Sequence, residues 1–540
     1  MSTQWSFTGL LDTVADAVPD REMLVWGAVR RTHAEFRRRT RALAAYLRGR
    51  GLGTVRERAG LERWECGQQK VAVVCSNCPE YLEAMFGAFR ARLVPYNVNH
   101  HYNAAELAAL VEQIGADVIV HHRRFAPLVE EVARDRLMIH VEDGSRTATL
   151  PGSVAFEDVI DRGGDEGALP VPSPDDLYLM CTGGTTGRPK GVLWRQADAY
   201  VAAAAGSPDA TAESIALTAR RGGPVWFPAP PLMHAAAQWT VLACWNLGGT
   251  VVLHDDAGPF DARAILETAE RERVQMLTIV GDAYARPLVE ELRARAYDLS
   301  ALRQISTGGA TTRADLKEAL LDLLPHVIVV DGYGASETGG MAFGASAKDA
   351  TDRGFRGAGG AVVLSEDRRR ILEPGSVEIG WTARTGHVPL GYLDDPEATE
   401  RTFPVVDGVR FAVPGDRATV GPDGSITLLG RDSTVVNSGG EKIFVEEVEQ
   451  AIRRHPDVLD ALVVGRPSER FGEEVVALVQ LRPGATLDGP SLREYAAGLI
   501  SRFKAPRAVL FCERVGRHPS GKPDYGWARR AAADAVAVAE

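Results

Sequence analysis

No long block of lysine and arginine stands out in the 540 residues, and the overall balance is acidic, at −11. A global basic field that attracts nucleic acid is therefore excluded, although a polyanionic small molecule can still be held where positive groups and glycine loops concentrate locally. Met1 to Arg21 lacks a basic stretch followed by an apolar one, so no signal peptide is expected. A long uninterrupted apolar run is missing too. The longest charge-free stretch, Gly222 to His254, is broken by Pro224, Pro228, Pro230, Pro231 and Gly248-Gly249, and it contains His234 and Gln238. It reads as a buried strand-turn-helix-strand unit, not a transmembrane segment. Cysteine is scarce and scattered: Cys66, Cys75, Cys78, Cys181, Cys244 and Cys512. Cys75 and Cys78 form a lone C-x-x-C without a second ligand pair nearby, so reduced thiols in a cytoplasmic protein are the expectation.

The chain is too long for one typical core, and its composition, 45% apolar and 25% charged, is that of an ordinary globular protein. Residues 30 to 140 alternate amphipathic helices with short apolar strands. Helices are expected over Ala34 to Arg48 and Pro79 to Ala91, and strands over Lys70 to Cys75, Val94 to Asn97 and Asp117 to His121. That alternation predicts a doubly wound α/β region. Thr54 to Gln69, rich in Arg and Glu, reads as an exposed insertion. The alternation resumes with strands at Val225, Thr250 to His254, Met276 to Val280, Gln304 to Thr307 and Val327 to Val330. Beyond Gly359 a β-rich section follows, with strands over Ala361 to Leu364, Val377 to Trp381, Arg410 to Ala412 and Ser425 to Leu429. At Gly430-Arg431-Asp432 the character changes to a small helix-strand module. Phe444, Val445, Val448, Ala451 and Ile452 give it one apolar helical face. The expectation is an α/β protein: a large N-terminal domain of doubly wound mixed sheets plus the β-rich section, residues 1–431, and a small mobile α+β domain, residues 432–540.

Thr182 to Gly191 reads Thr-Gly-Gly-Thr-Thr-Gly-Arg-Pro-Lys-Gly, directly after the apolar run Leu177 to Cys181. Glycines let backbone N–H groups face an anion, and hydroxyls and an ammonium add donors and charge, so this is a phosphate-handling loop. It is not a Walker loop: Pro189 precedes Lys190 and Gly191 follows it, leaving no magnesium-binding hydroxyl. Two more glycine loops follow expected strands: Ser306 to Ala310 (Ser-Thr-Gly-Gly-Ala) and Asp331 to Gly339 (Asp-Gly-Tyr-Gly-Ala-Ser-Glu-Thr-Gly). Ligands of open α/β sheets bind beyond the carboxyl ends of strands, so all three loops can meet one nucleotide. A Tyr between glycines can lie on a purine, and a Glu can hold magnesium. Taken alone, that loop offers no more than a core Tyr and a solvated Glu. Further on come Pro414-Gly415-Asp416-Arg417, Gly430-Arg431 and Arg517 to Pro523. The last also fits G-x-x-x-x-G-K from Gly516, but Pro523 offers no hydroxyl and stops a helix from starting.

These five segments, in this order over Thr32 to Asp524, resemble the adenylate-forming superfamily: acyl-CoA synthetases, luciferases and the adenylation domains of peptide synthetases. Gly183 stands where the family usually has Ser, and Arg417 where it usually has Leu. The resemblance implies ATP, magnesium and CoA as cofactors. It assigns Thr182, Gly183, Gly184, Thr185, Thr186 and Lys190 to the phosphates, with Gly308, Gly309, Ala310, Asp331, Gly332 and Gly334 lining the nucleotide. Tyr333 lies against adenine, Glu337 holds magnesium, and Thr338 contacts phosphate. Asp416 takes the ribose hydroxyls with Arg431 supporting the same sugar, and Lys522 is the catalytic lysine. His234 gates the acyl pocket or is a buried structural histidine, and Gly281, Gly308 and Gly339 leave that pocket room. Gly439, Gly440 and Lys442 line the CoA channel, and Asp432 is the hinge. The loop variants are most similar to actinobacterial ligases for steroid side chains and other bulky apolar acids. The expected partners are a small carboxylic acid and CoA, with no nucleic acid and no transmembrane segment; a homodimer is left open. Adenylation alone, with the acyl-AMP passed to another enzyme or a carrier protein, is the alternative.

Overall fold

Val-rich runs bounded by glycine and polar loops become strands because β-branched side chains pack well on a pleated surface covered on both faces. The computed structural model describes residues 4–182, 190–258, 260–348, 355–438, 441–468, 472–518 and 521–537. The chain divides into two compact units, one of Met1–Arg353, Ala358–Gly360 and Arg384–Ala412, the other of Gly354–Gly357, Ala361–Ala383 and Val413–Glu540.

The first unit contains two sheets with helices between and around them. One sheet is eight-stranded, and at its centre Lys70–Val74 pairs in parallel with Val94–Asn97 and Val118–His122. Beside them Leu177–Thr182 and Lys190–Arg195 form an antiparallel pair, and Gly391–Tyr392 closes the edge. In the other sheet Thr250–Leu253, Val225–Pro228, Met276–Ile279, Gln304–Gly308 and Ile328–Ala335 lie side by side in parallel, and Gly339–Ala347 turns back antiparallel. Each parallel ladder therefore delivers its loops to a single edge.

The helices His33–Gly49, Pro79–Arg90 and Ala235–Asn246 share one aromatic core. Phe36 meets Trp245 at 5.0 Å and Phe86 at 5.7 Å, and Phe86 meets Trp245 at 5.4 Å, all edge-on. Such pairs contribute about 0.5–1.5 kcal/mol each beyond the area they bury. Gly87 permits the close packing, since a Cβ there would lie 2.5 Å from Leu43. Inside the same core Arg39 donates to Glu83 at 2.7 and 2.8 Å. Removing either partner would strand a buried charge.

The second unit carries the antiparallel strands Asp416–Val420 and Ser425–Arg431 and a separate five-stranded sheet. In that sheet Val458–Ser468 pairs antiparallel with Gly472–Leu481, and Ala508–Phe511 joins the latter in parallel. The helix Val445–Arg453 covers it with Val445, Val448, Ala451 and Ile452. Asp432 opens a short helical turn within this unit.

The sequence reading departs from the fold in three places. The strand expected over Val377 to Trp381 is Gly380–Thr385, and Val377 is 98% exposed. The strand ending at Val330 continues through Tyr333 to Ala335 because it pairs with Gly339–Ala347. Thr54 to Gln69 is anchored at its end: Gln68 is buried, donates to the Arg92 carbonyl at 2.8 Å and accepts the Leu177 amide at 2.8 Å. Gly222 to His254 is the expected strand, helix and strand, and no helix among the described residues is long and apolar enough to cross a membrane.

Candidate active site

In the first unit the loops at the carboxyl ends of the strands are knitted together by a few long-range bonds. Thr182 and Lys190 face each other across the antiparallel pair at the mouth of the glycine loop. Gly183, Gly184, Thr185 and Thr186 lie outside the described residues. The Lys190 ammonium sits over the ring of Tyr392, 4.6 Å from its centroid. The Tyr392 hydroxyl donates to Glu337 Oε1 at 2.8 Å. A lysine from one sheet and a glutamate from the other are thus brought to the two ends of one tyrosine, which the sequence reading did not single out. A lone signal existed in Gly391-Tyr392, a Gly-Tyr pair like Gly332-Tyr333.

The turn carrying Glu337 is fixed from several sides. Trp194 Nε1 donates to the Ser336 carbonyl at 2.9 Å. Arg384, buried, donates to the carbonyls of Thr338 at 2.9 Å, Gly340 at 2.6 Å and Ala202 at 3.2 Å. Burial alone pushes its guanidinium below the usual range. Gly339 has φ +68°, and a Cβ there would lie 2.5 Å from the Ala202 carbonyl oxygen. Thr338 is fully buried, its Oγ1 accepting the Ala335 amide at 2.9 Å and lying 3.0 Å from the Gly339 carbonyl oxygen. Thr338 thus braces the turn from inside it.

Tyr333 sits in the strand Ile328–Ala335 at a register shift opposite Ala342, and Gly332 pairs with Gly308 on the neighbouring strand. Asp331 is tied to Lys317 at 2.8 Å. Gly309 has φ +75°, and Ala310 packs against Gly281, where a Cβ would approach it to 2.8 Å. Asp282, next to Gly281, accepts the Arg313 amide at 2.8 Å, so its carboxylate braces the loop around Ala310.

His234 is half-buried and occupies the N-cap position of the helix Ala235–Asn246 without a side-chain capping bond. Two buried asparagines position its loop, and neither was expected. Asn97 donates to the carbonyls of Met233 at 2.6 Å and Cys181 at 2.9 Å, binding this loop to the root of the glycine loop. Asn77 accepts the Leu232 amide at 2.7 Å.

In the second unit Arg431 Nε lies 3.2 Å from Asp416 Oδ1 across paired strands. Arg417 points to the other side, 4.1 Å over the Trp381 ring and ion-paired with Glu366, as strand alternation requires. Gly430 has φ +124° and faces the Glu446 carboxylate, where a Cβ would lie 2.1 Å from Oε2. The Asp432 amide donates to the Gly415 carbonyl at 3.0 Å. Lys442 pairs with Asn437 across antiparallel strands, and Gly439 and Gly440 lie outside the described residues. Lys522 is exposed. Its carbonyl accepts the His518 amide at 2.9 Å, and Gly521 before it has φ +77°. Arg517 anchors that turn to Asp460 with bonds of 2.6 and 2.7 Å.

Family models add a decisive observation: residues 11–378 match that of the AMP-binding enzymes, and residues 447–522 match the AMP-binding enzyme C-terminal domain. The chain belongs to the AMP-binding enzyme family. This AMP-binding enzyme is 44% identical to a medium-chain acyl-CoA ligase of Mycobacterium avium, over 98% of the chain and 99% of the relative. It is 36% identical to a 3-oxocholest-4-en-26-oate–CoA ligase of Rhodococcus rhodochrous, over 96% of the chain and 94% of the relative. In fold it is similar to the crystal structure of the anthranilate CoA ligase AuaEII in complex with anthranoyl-AMP, with a TM-score of 0.82 at 19% identity over 99% of each chain.

Proposed function

We propose that this enzyme is an AMP-forming acyl-CoA ligase for a bulky, mainly hydrocarbon carboxylic acid. The observation that carries the reading is the 44% identity, over nearly the whole chain, to a medium-chain acyl-CoA ligase. The Lys190–Tyr392–Glu337 cluster supports it by putting a cation and a carboxylate beside one glycine loop.

A free carboxylate is a poor acyl donor because oxide is a poor leaving group. A carboxylate oxygen therefore attacks the α-phosphorus of ATP, the bond to the β-phosphate oxygen breaks, and pyrophosphate departs with the electron pair. The CoA sulfur then attacks the acyl carbonyl, and AMP leaves. Charge concentrates on the phosphates during the first step, so Lys190 and Lys522 act by positioning and electrostatics. Glu337 fits magnesium: a single carboxylate completed by substrate phosphates is how that ion is commonly held. Held by Glu337, a magnesium ion would neutralise phosphate charge. Asp416 and Arg431 hold the ribose and Tyr333 the adenine, while Gly439, Gly440 and Lys442 line the CoA channel. Lys522 and the CoA loop both follow Asp432 in the chain, so rotation about Asp432 would present each in turn. The setting is cytoplasmic.

On the acyl side, the small residues Ala235 and Ala236 after His234 leave room for hydrocarbon, whose burial stabilises binding by about 25 cal/mol per Å². The expectation that Gly281 and Gly308 do so fails: a Cβ would lie 2.8 Å from Ala310 at the first and 2.8 Å from the Gly332 carbonyl oxygen at the second, so these glycines serve close packing. Asp282 accepts the Arg313 amide and lies 4.0 Å from Arg286, so its charge is already engaged by the protein's own donors. The test is a panel of acids assayed separately for pyrophosphate release and thioester formation. Medium-chain and polycyclic acids are expected to be turned over far faster than acetate. Comparable acetate turnover, or robust activation of an amino acid, overturns the acid class. Pyrophosphate release without thioester overturns the ligase reading.

A further inference from the structure

The loops at the ends of Lys70–Val74 and Val118–His122, neighbouring parallel strands, bring two thiols and an imidazole together inside the first unit. Cys75 follows the first strand, Cys78 caps the helix Pro79–Arg90, and His122 ends the second strand. All three are buried, and one donor atom from each lies within 4.8 Å of the others. Among the described residues this is the sole such grouping of His, Cys, Asp and Glu donors. The sequence shows only an isolated C-x-x-C; the fold supplies the third donor from the adjacent strand.

The surroundings hold these donors in place. The Ser76 amide donates to His122 Nδ1 at 3.2 Å and the Ser76 Oγ lies 3.0 Å from the same atom, so Nδ1 is engaged and Nε2 is the nitrogen left for an ion. Phe125 lies against both His122, at 6.2 Å, and His100, at 5.5 Å. His100 is 7% exposed. Tetrahedral bonds of zinc to sulfur and nitrogen place the donors roughly 3.5–3.8 Å apart, so small side-chain rotations close the observed spacing around one ion. Two sulfurs and an imidazole suit soft and borderline cations over calcium or magnesium.

We infer that Cys75, Cys78 and His122 supply three ligands of a site for a thiophilic cation of the zinc class. Binding replaces two S–H protons by two metal–sulfur bonds and releases both protons to solvent. Between the cysteines, Asn77 accepts the Leu232 amide and donates its own amide to Asp256 at 2.5 Å. A bound ion thus stiffens the loop that leads into His234, and its role is to hold that loop.

The reduced full-length protein, stripped with a chelator and titrated anaerobically with Co²⁺, is expected to develop a thiolate-to-cobalt charge-transfer band that saturates at one ion per chain. Zn²⁺ should abolish that band and raise Tm, and chelator should reverse the rise. Cys75→Ser and Cys78→Ser should lose the band, His122→Asn should weaken binding at least tenfold, and Cys512→Ser should leave it intact. Where a serine variant fails to fold, His122→Asn and the zinc-dependent Tm of the unaltered chain carry the test. Absence of the band in the unaltered chain overturns the site, as does its survival in Cys78→Ser or a Zn²⁺-independent Tm.

Discussion

Two tight turns carry the charges proposed for the chemistry, and they are built differently. The Glu337 turn is fixed from afar: Trp194, Arg384 and Tyr392 reach it from other segments, and Gly339 lets it pack on Ala202. The Lys522 turn is closed on itself by the His518–Lys522 and Gly521–His518 backbone bonds, and Arg517 pins it to Asp460 in its own unit. The first cannot form until distant chain segments have assembled. The second is finished locally, within its own unit. The difference separates a turn that depends on distant segments from one that depends on its neighbours alone.

Breaking the charge on the locally closed turn should have the largest effect. Lys522→Ala is expected to slow adenylation by about 10²–10³-fold or more, because a donor aimed at developing charge is lost. Thioester formation from pre-made acyl-adenylate should be largely spared, and survival of adenylation would disprove the assignment. Arg384→Ala attacks the Glu337 turn: three carbonyls lose their donor, at a cost of about 2–4 kcal/mol in stability. Both half-reactions should fall together with Tm; an unchanged Tm would show that the turn is held otherwise.

Asp432→Pro tests whether the module moves. It should slow the thioester step more than adenylation, and equal loss of both would count against a hinge there. Proline also removes the amide that donates to Gly415, a bond Asp432→Ala retains, so the alanine variant separates torsion from side chain. Tyr392→Phe keeps the ring under Lys190 and removes the hydroxyl on Glu337. About a tenfold fall in adenylation is expected from one charge-assisted hydrogen bond, with a raised magnesium requirement. An unchanged magnesium dependence would remove Tyr392 from the site.

The smallest effect concerns stability of the module. Burial pushes the Glu449 carboxyl up from 4.5 to about 7 against the pull of Arg453. Folded protein therefore keeps a proton that the unfolded chain has lost between those values, and stability declines as pH rises from about 4.5 to 7. Glu449→Gln should flatten that slope in pH-dependent denaturation without altering its rise or fall elsewhere; an unchanged slope would refute the buried acid.

Most strands and the glycine loops between them were legible because both are local: periodicity sets the element and the loop follows it. The partners were not. Tyr392 meets Glu337 across 55 residues, and Asn97 meets Met233 across 136, contacts that no spacing rule announces. Local propensity also misled at Val377, an apolar residue that stays in water while the strand begins at Gly380. His122 could not be attached to Cys75 and Cys78 until the parallel register placed their strands side by side.

The antiparallel run from Leu177–Thr182 back through Lys190–Arg195 has a consequence for ionic strength. Among the described residues the chain leaves this loop as a strand, and the next helix begins only at Gln196. Lys190 stands at the loop's end as a discrete cation, and mobile ions screen such a charge over a length of about 8 Å at physiological salt. Added salt should therefore loosen this loop's grip on ATP.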